Sequence, residues 1–531
     1  MTRALILGLS CILPFVAGCQ EEKQQETPAS HSARFQEPHR PQLHFSPAAN
    51  WTNDPNGMVF FEGEYHLFYQ YYPDSTVWGP MHWGHAVSPD LVHWEHLPIA
   101  LYPDSLGYIF SGSAVVDWNN STGFGTTESP AMVAMFTYHD PIGAQANTGT
   151  YQTQGIAYSL DRGRTWTKYE ANPVIQNPGI PDFRDPKVIW DKTNQQWIVA
   201  LAVQDHTSFY TSQDLKSWSH LSDFGYEFGD HDGVWECPDF FPIQVTGTEE
   251  TKWVLLLSIN PGGPNGGSAT QYFVGDFDGK TFSLDPEFAQ NVQNNQGVWV
   301  DYGKDNYAGV TWSDVPTTDG RRIFLGWMSN WQYANVVPTQ VWRNAMTIPR
   351  ELTLHKLSQG YRLFSAPVKE VELIQGESTS IDNAASMVTG SILHQTTADG
   401  SSGMRIALTF AATPDGMVGI ELSNAKGETM RMGFDPASNQ FFSDRRKSGD
   451  LGFSANFAPG IDYAPRVAST EAPISMDILI DVSSIELFAD QGATVMTSIF
   501  FPTEPFSTVT LISENGSHLA SATISALSSI W

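Results

Sequence analysis

The chain has 531 residues, with 57 acidic against 28 basic side chains and a formal net charge of -29. Such a field repels nucleic acid and anionic lipid, and it favours a neutral or cationic partner. The aromatic content (Trp 17, Tyr 18, Phe 31) excludes a disordered chain, and the length allows two or more domains with substantial cores.

The first residues read as a targeting segment. Arg3 precedes an apolar run from Ala4 to Ala17 that is too short for a comfortable membrane span. Val16-Ala17-Gly18-Cys19 has the form of a bacterial lipoprotein processing site. It predicts residues 1–18 as a leader, Cys19 as the lipidated residue and attachment to a membrane of the cell envelope. A plain cleaved secretion signal is the alternative. Cys11 would leave with the leader and Cys237 would remain a free thiol, so no disulfide is expected. Residues 19–40 are polar, with Glu and Gln prominent, and predict a tether.

Beyond residue 41 no helical periodicity of useful length occurs. Short apolar runs bounded by Gly, Pro, Asn and Asp predict an all-β chain. One pattern recurs: a polar opening, a strand, a turn and a second strand. Trp51-Thr-Asn-Asp-Pro-Asn-Gly57 leads through Met58–Phe61 to Tyr65–Gln70. Arg184-Asp185-Pro186 leads to Trp197–Leu201, and Glu236-Cys237-Pro238-Asp239 to Trp253–Leu257. Weaker copies open at Phe110-Ser111-Gly112-Ser113 and at Val300-Asp301-Tyr302. A second marker, a polar turn closed by an aromatic ring, spans Ser88 to Trp94, Ser159 to Trp166, Ser212 to Trp218 and Asp276 to Phe282. Copies spaced by roughly 50 to 70 residues suit four-stranded blades around a channel. The expectation is a five-bladed β-propeller over residues 41–356; a parallel β-helix has a far shorter period.

In such a ring the opening residues line one channel mouth, so Asp54, Asp185 and Glu236 are expected to converge. Like charges crowded in this way cost stability unless a site uses them. Two carboxylates flanking a glycosidic bond are the machinery of sugar hydrolysis. Glu236, with the longer arm and with Trp235 and Phe240 nearby to raise its pKa, is the expected acid/base. Asp54, pinned by Pro55, is the expected nucleophile. Asp185 is expected to be kept ionised by Arg184 and to favour an oxocarbenium-like transition state. Asn53, Gln70 and Ser113 offer groups for sugar hydroxyls, and Trp78, Trp83 and Trp331 offer flat faces for rings or packing between blades. His82-Trp-Gly-His85 sits on no predicted helix and lacks a third ligand, so neither metal nor cofactor is expected. Cys237 reads as a small packed neighbour of Glu236. The Gly-rich stretch 260–267 lacks a following helix and reads as a loop rather than a phosphate cradle.

Trp51-Thr-Asn-Asp-Pro-Asn-Gly57, Phe183-Arg-Asp-Pro186 and Trp235-Glu-Cys-Pro238 resemble the three acidic motifs of glycoside hydrolase family 32, the invertases, inulinases and levanases. Phe110-Ser-Gly-Ser113 and Asp301-Tyr-Gly-Lys-Asp-Asn-Tyr-Ala308 resemble the same family, from about residue 41 to the C-terminus. The resemblance implies a retaining double displacement with Asp54 as nucleophile, Glu236 as acid/base and Asp185 as transition-state stabiliser. It also implies fructose contacts at Asn53, Gln70, Trp78, Ser113 and Arg184. Thr52 departs from the Met more common there. Gly326-Trp-Met-Ser-Asn-Trp331 is closer to the exo-acting fructan hydrolases than to plant invertases, which places Trp331 at the pocket.

After Ser365-Ala366-Pro367 alternating segments such as Met404–Phe410, Met476–Asp481 and Val509–Ile512 predict a β-sandwich over residues 366–531, as the resemblance also implies. The expected activity is release of terminal fructose from levan or inulin by a lipid-anchored enzyme of the bacterial envelope. Its rivals are an invertase, a non-catalytic glycan-binding lipoprotein and an inverting arabinan hydrolase.

Overall fold

The computed structural model describes residues 35–381, 386–395, 403–517 and 519–531. The leader and Cys19 lie outside them. Among the described residues the fold is all-β, with helical turns of at most six residues.

Five small antiparallel sheets follow one another in the first part of the chain. Their first strands are Asn50–Phe61, Tyr108–Val116, Phe183–Asp191, Val234–Gln244 and Tyr307–Thr311. Each packs on the next, and the fifth packs back on the first, so the lead strands close a ring. Trp342–Arg343 seals it by pairing in parallel with Asn50 and Trp51. This is the layout of a β-propeller.

The sequence shows why the sheets stack. Gln196–Val203 is nearly all apolar, as a strand covered on both faces must be. Trp197, Val199, Leu201 and Val203 join one core with Val133 and Met135 of the preceding sheet. Ile198 and Ala200 join another with Phe240 and Leu255 of the following sheet. The polar-turn marker falls between the third and fourth strands of four sheets, where Asp90, Asp161, Asp214 and Asp278 accept from backbone amides ahead of them. Trp94, Trp166 and Trp218 close these turns, each indole donating to a carbonyl three residues back.

Two expectations shift. The fifth lead strand starts at Tyr307, not at Val300. Asp301 instead accepts from Thr497 N (2.9 Å) and pairs with Arg350 (2.8 Å), tying the ring to the second domain. The fifth sheet also runs on through Gly360–Pro367, past residue 356.

Residues 375–527 form two six-stranded sheets packed face to face as a sandwich. Ile406 and Leu408 of one sheet meet Ile420, Met432 and Leu511 of the other. The stretch read as a tether ends packed against both domains: Arg40 is buried, paired with Glu37 (2.7 Å) and stacked over Phe35 and the ring's Trp342, while His39 O accepts from Ser483 of the sandwich (2.8 Å).

His44 seals the domain junction. Its Nδ1 meets Asp481 and its Nε2 meets Glu486, each at 2.7 Å, and Glu486 in turn pairs with Arg350. A neutral imidazole has one N–H, so two carboxylate partners require the imidazolium. Burial opposes that charge, but the two carboxylates outweigh it and raise the pKa to about 9. A raised folded-state pKa stabilises fully below the unfolded value of 6.5, and the stability is lost as pH rises through about 9. His44→Gln is therefore expected to cost ~3–5 kcal/mol at pH 6 and to flatten the fall in unfolding free energy between pH 6.5 and about 9. Urea titrations across that range check both.

Candidate active site

Every lead strand carries a β-bulge at the same depth in the ring. The pairing slips between Thr52 and Pro55, Ile109 and Gly112, Arg184 and Lys187, Glu236 and Asp239, and Tyr307 and Val310. A bulge re-aims the side chains beside it. Asp185, Cys237 and Ala308 take positive φ there (62°, 46° and 53°), at a cost of about 1–2 kcal/mol each. The strain is repaid in position: residues from the first four lead strands turn into the ring's mouth, and Tyr307 of the fifth reaches Glu236 from behind.

They line a cavity of about 340 Å³. Asn53, Asp54, Gln70, Trp78, Arg184, Asp185, Glu236 and Trp331 all border it, as expected. Ser113 does not. Its hydroxyl donates to Pro186 O (2.8 Å) and accepts from Val188 N (2.9 Å), below the cavity. Ser111 takes the place expected for it, donating to Asp54 Oδ2 at 2.7 Å. Trp83 is wholly buried, its indole bonded to Phe110 O, and serves packing. His82 and His85 face opposite sides of one strand, and His85 pairs with His66 (3.0 Å).

Each carboxylate has its own setting. Asn53 Nδ2 donates to Asp54 Oδ1 (2.9 Å), and Trp51 Nε1 fixes Asn53 in turn (2.7 Å). Burial raises the Asp54 pKa, the Ser111 hydroxyl opposes it, and the Glu236 charge adds to it. Glu236 is gripped at both oxygens: Arg184 donates to Oε1 (2.8 Å), and the Tyr307 hydroxyl donates to Oε2. Trp235 and Phe240, expected beside it, lie instead in the apolar core of their sheet. Arg184 lies 3.9 Å from Asp185 Oδ2 and is turned toward Glu236 and Asp182, so it favours the Asp185 carboxylate only in part. Burial, with the charges of Glu236 and Asp54, outweighs Arg184 and raises the Asp185 pKa to about 7. Cys237 touches Asp54 and Asp185 rather than Glu236, its sulfur 3.6 Å from each, while its amide donates to Asp185 Oδ2 (3.0 Å). Burial pushes the thiol pKa up, so the sulfur adds no further anion to the three carboxyls.

One tier further along the strands the channel is plugged. Lys187 Nζ pairs with Asp239 (3.0 Å) and donates to Thr311 O (2.7 Å), beside Ser113 and Asn56. Only a void of about 10 Å³ remains between this tier and the carboxylates. The site is a blind pocket, open at one end.

The chain matches the glycosyl hydrolases family 32 N-terminal domain over residues 44–367 and the family 32 C-terminal domain over residues 370–528. It belongs to glycosyl hydrolase family 32. It is 46% identical over 509 residues to a levanase of Bacillus subtilis, an alignment covering 95% of this chain and 72% of that one. It is 39% identical over 512 residues to an extracellular exo-inulinase of Aspergillus niger, covering 92% and 94%. The crystal structure of exo-inulinase from Aspergillus awamori superposes with a TM-score of 0.85 at 36% identity, covering 94% of this chain and all of that one. The chain is thus a glycoside hydrolase.

The Tyr307 and Arg184 grip on Glu236 was not expected from the sequence. Tyr307 lies within the motif Asp301–Ala308, but an opening of the fifth repeat at Val300, seven residues ahead of the strand, does not turn it toward the channel. Phe110, His139, Tyr151, Gln152, Asp182 and Asn260 also border the cavity. Of these, only Phe110 and Asn260 fall within motifs legible in the sequence.

The electrostatic account has a direct check in the carboxyl titration of Asp185. Asp54→Asn removes a neighbouring charge and should move that titration down from about 7, and Arg184→Gln should move it up. Carbon-detected NMR of labelled Asp reads both shifts; opposite or absent movement contradicts the account.

Proposed function

We propose that the chain is a retaining, exo-acting hydrolase that releases terminal β-D-fructofuranosyl units from levan or inulin. The observation that carries this reading is the blind pocket with Asp54 and Glu236 in its wall. A plugged channel admits a chain end and has no path for a chain to thread through. The levanase and exo-inulinase relatives agree with it.

Asp54 attacks the anomeric carbon while Glu236 gives its proton to the departing oxygen, leaving fructose esterified to Asp54. Water then attacks that carbon, returns a proton to Glu236 and frees the Asp54 carboxylate. Asp185 sits beside the reacting centre without entering the bond-making, and its position suits hydroxyl binding. Asn53, Gln70, Arg184 and Ser111 supply further polar contacts, and Trp78 and Trp331 the apolar faces.

In the same reading the ring is a five-bladed propeller from about residue 41 to Pro367, with the sandwich following. Residues 1–18 are a lipoprotein leader, and Cys19 anchors the enzyme to the bacterial envelope. The apolar run ending in Val16-Ala17-Gly18-Cys19 supports this. Among the described residues no helix is long and apolar enough to cross a membrane.

Asp54→Asn should lower kcat by ~10⁴-fold or more while fructan binding, read by calorimetry, persists; near-normal turnover would remove Asp54 from the nucleophile's role. In Glu236→Gln, hydrolysis of natural fructans should fall far more than that of an aryl fructoside, whose leaving group needs little protonation. Equal losses on both would refute the acid assignment. Sugar analysis on levan and inulin should show free fructose from the earliest times, and early oligosaccharides would exclude exo action.

A further inference from the structure

The outer wall of the pocket leans on the second domain. Glu236 pairs with Ser258 on the neighbouring strand, and Asn260 ends that strand at the cavity, opposite Val234. In the hydrolase reading, the space beside Glu236 belongs to the leaving group, because Glu236 protonates the departing oxygen. Asn260 begins the loop 260–268, which is fixed from outside. Asn265 Nδ2 donates to Tyr302 O (2.7 Å) and Tyr463 O (2.9 Å), while its Oδ1 accepts from Tyr463 N (3.0 Å). Tyr463 lies in the edge strand Asp462–Pro465 of the sandwich. One side chain thus makes the two-way bond that a paired strand residue makes with its partner.

The adjoining wall is held from the same side. Asn330 donates to Lys304 O (2.8 Å), and Trp331 N donates to Ser268 Oγ (3.2 Å). Lys304 Nζ reaches Gln332 (3.1 Å) and the sandwich's Asn456 O (2.9 Å). Tyr333 packs edge-on against Phe457, with ring centroids 5.1 Å apart, and its hydroxyl accepts from Arg445 (2.9 Å). Asn335 Oδ1 accepts from Trp78 N (2.8 Å). Asn260 and Trp331 therefore share supports that end on sandwich residues, and Trp78 is bonded to Asn335, two residues beyond Tyr333. Asp54 and Asp185 are bonded to Asn53, Ser111, Thr137 and Cys237, all of the ring.

We propose that the sandwich positions the leaving-group side of the pocket, with Asn265 as the positioning residue that joins Tyr463 to the Asn260 loop. The ring alone holds the catalytic acids; the second domain sets how well the remainder of a fructan chain is received. This rests on the hydrolase reading of the pocket.

Asn265→Ala tests it, with Asn265→Asp as the conservative variant that keeps the acceptor for Tyr463 N. For fructan oligosaccharides KM should rise about tenfold in Asn265→Ala with kcat little changed, and less in Asn265→Asp. Hydrolysis of an aryl fructoside, which has no further sugar, should stay within about twofold of wild type. Backbone hydrogen exchange should quicken in residues 260–268 and 328–337 while the lead strands stay protected. Equal losses on both substrates, or unchanged exchange in those segments, would overturn the proposal. If wild type cleaves neither substrate, the hydrolase reading falls, and the exchange comparison still decides whether the sandwich holds the wall.

Discussion

Holding several carboxylates together at one channel mouth is the constraint on which the structure depends. Unscreened, buried acids repel and lose their charge. Here the repulsion is borne by a closed ring in which each lead strand packs on two neighbours, so no single strand can relax away from the site. Bulges aim the side chains, and fixed donors divide their labour. Arg184 and Tyr307 face Glu236, Ser111 and Asn53 face Asp54, and the Cys237 amide faces Asp185. Three acids of similar chemistry acquire three different environments, as a double displacement requires.

The ring is also stabilised from below and behind. The Lys187–Asp239 pair fills the channel with a neutralised couple, which closes it without adding net charge beneath the acids. Buried charges of this kind are costly unless well paired. At the domain junction the chain from His44 through Glu486 and Arg350 to Asp301 alternates in sign and is bonded at each step. The two domains thus share buried ionic and apolar contacts and are not two bodies on a linker.

Much of this was legible in the amino-acid order. Recurrence of a polar opening before paired apolar runs gave the ring, and Ser-x-Asp turns closed by Trp marked the outer hairpins. Asp54, Asp185 and Glu236 follow from that recurrence. What stayed hidden was set by bulges and by facing. Ser111 and Ser113 share one period of two, and only the slip between Ile109 and Gly112 with the depth of the channel separates their surroundings. Arg184 adjoins Asp185 in sequence yet turns to Glu236, a choice made across sheets. His139 and Gln152 reach the pocket from the second and third strands of their sheet, positions the repeat pattern assigns to packing. The apolar neighbours of Glu236 in sequence, Trp235 and Phe240, belong to the sheet interior, so adjacency along the chain misled there.

The central claim is that Asp54 forms a covalent bond to fructose which is then opened from the same face. The stereochemistry of transfer to methanol tests it most directly, because a methyl glycoside does not mutarotate. Nuclear magnetic resonance of the first product from a fructan in aqueous methanol should show methyl β-D-fructofuranoside. The α-anomer as first product would mean a single inverting displacement and would contradict the account.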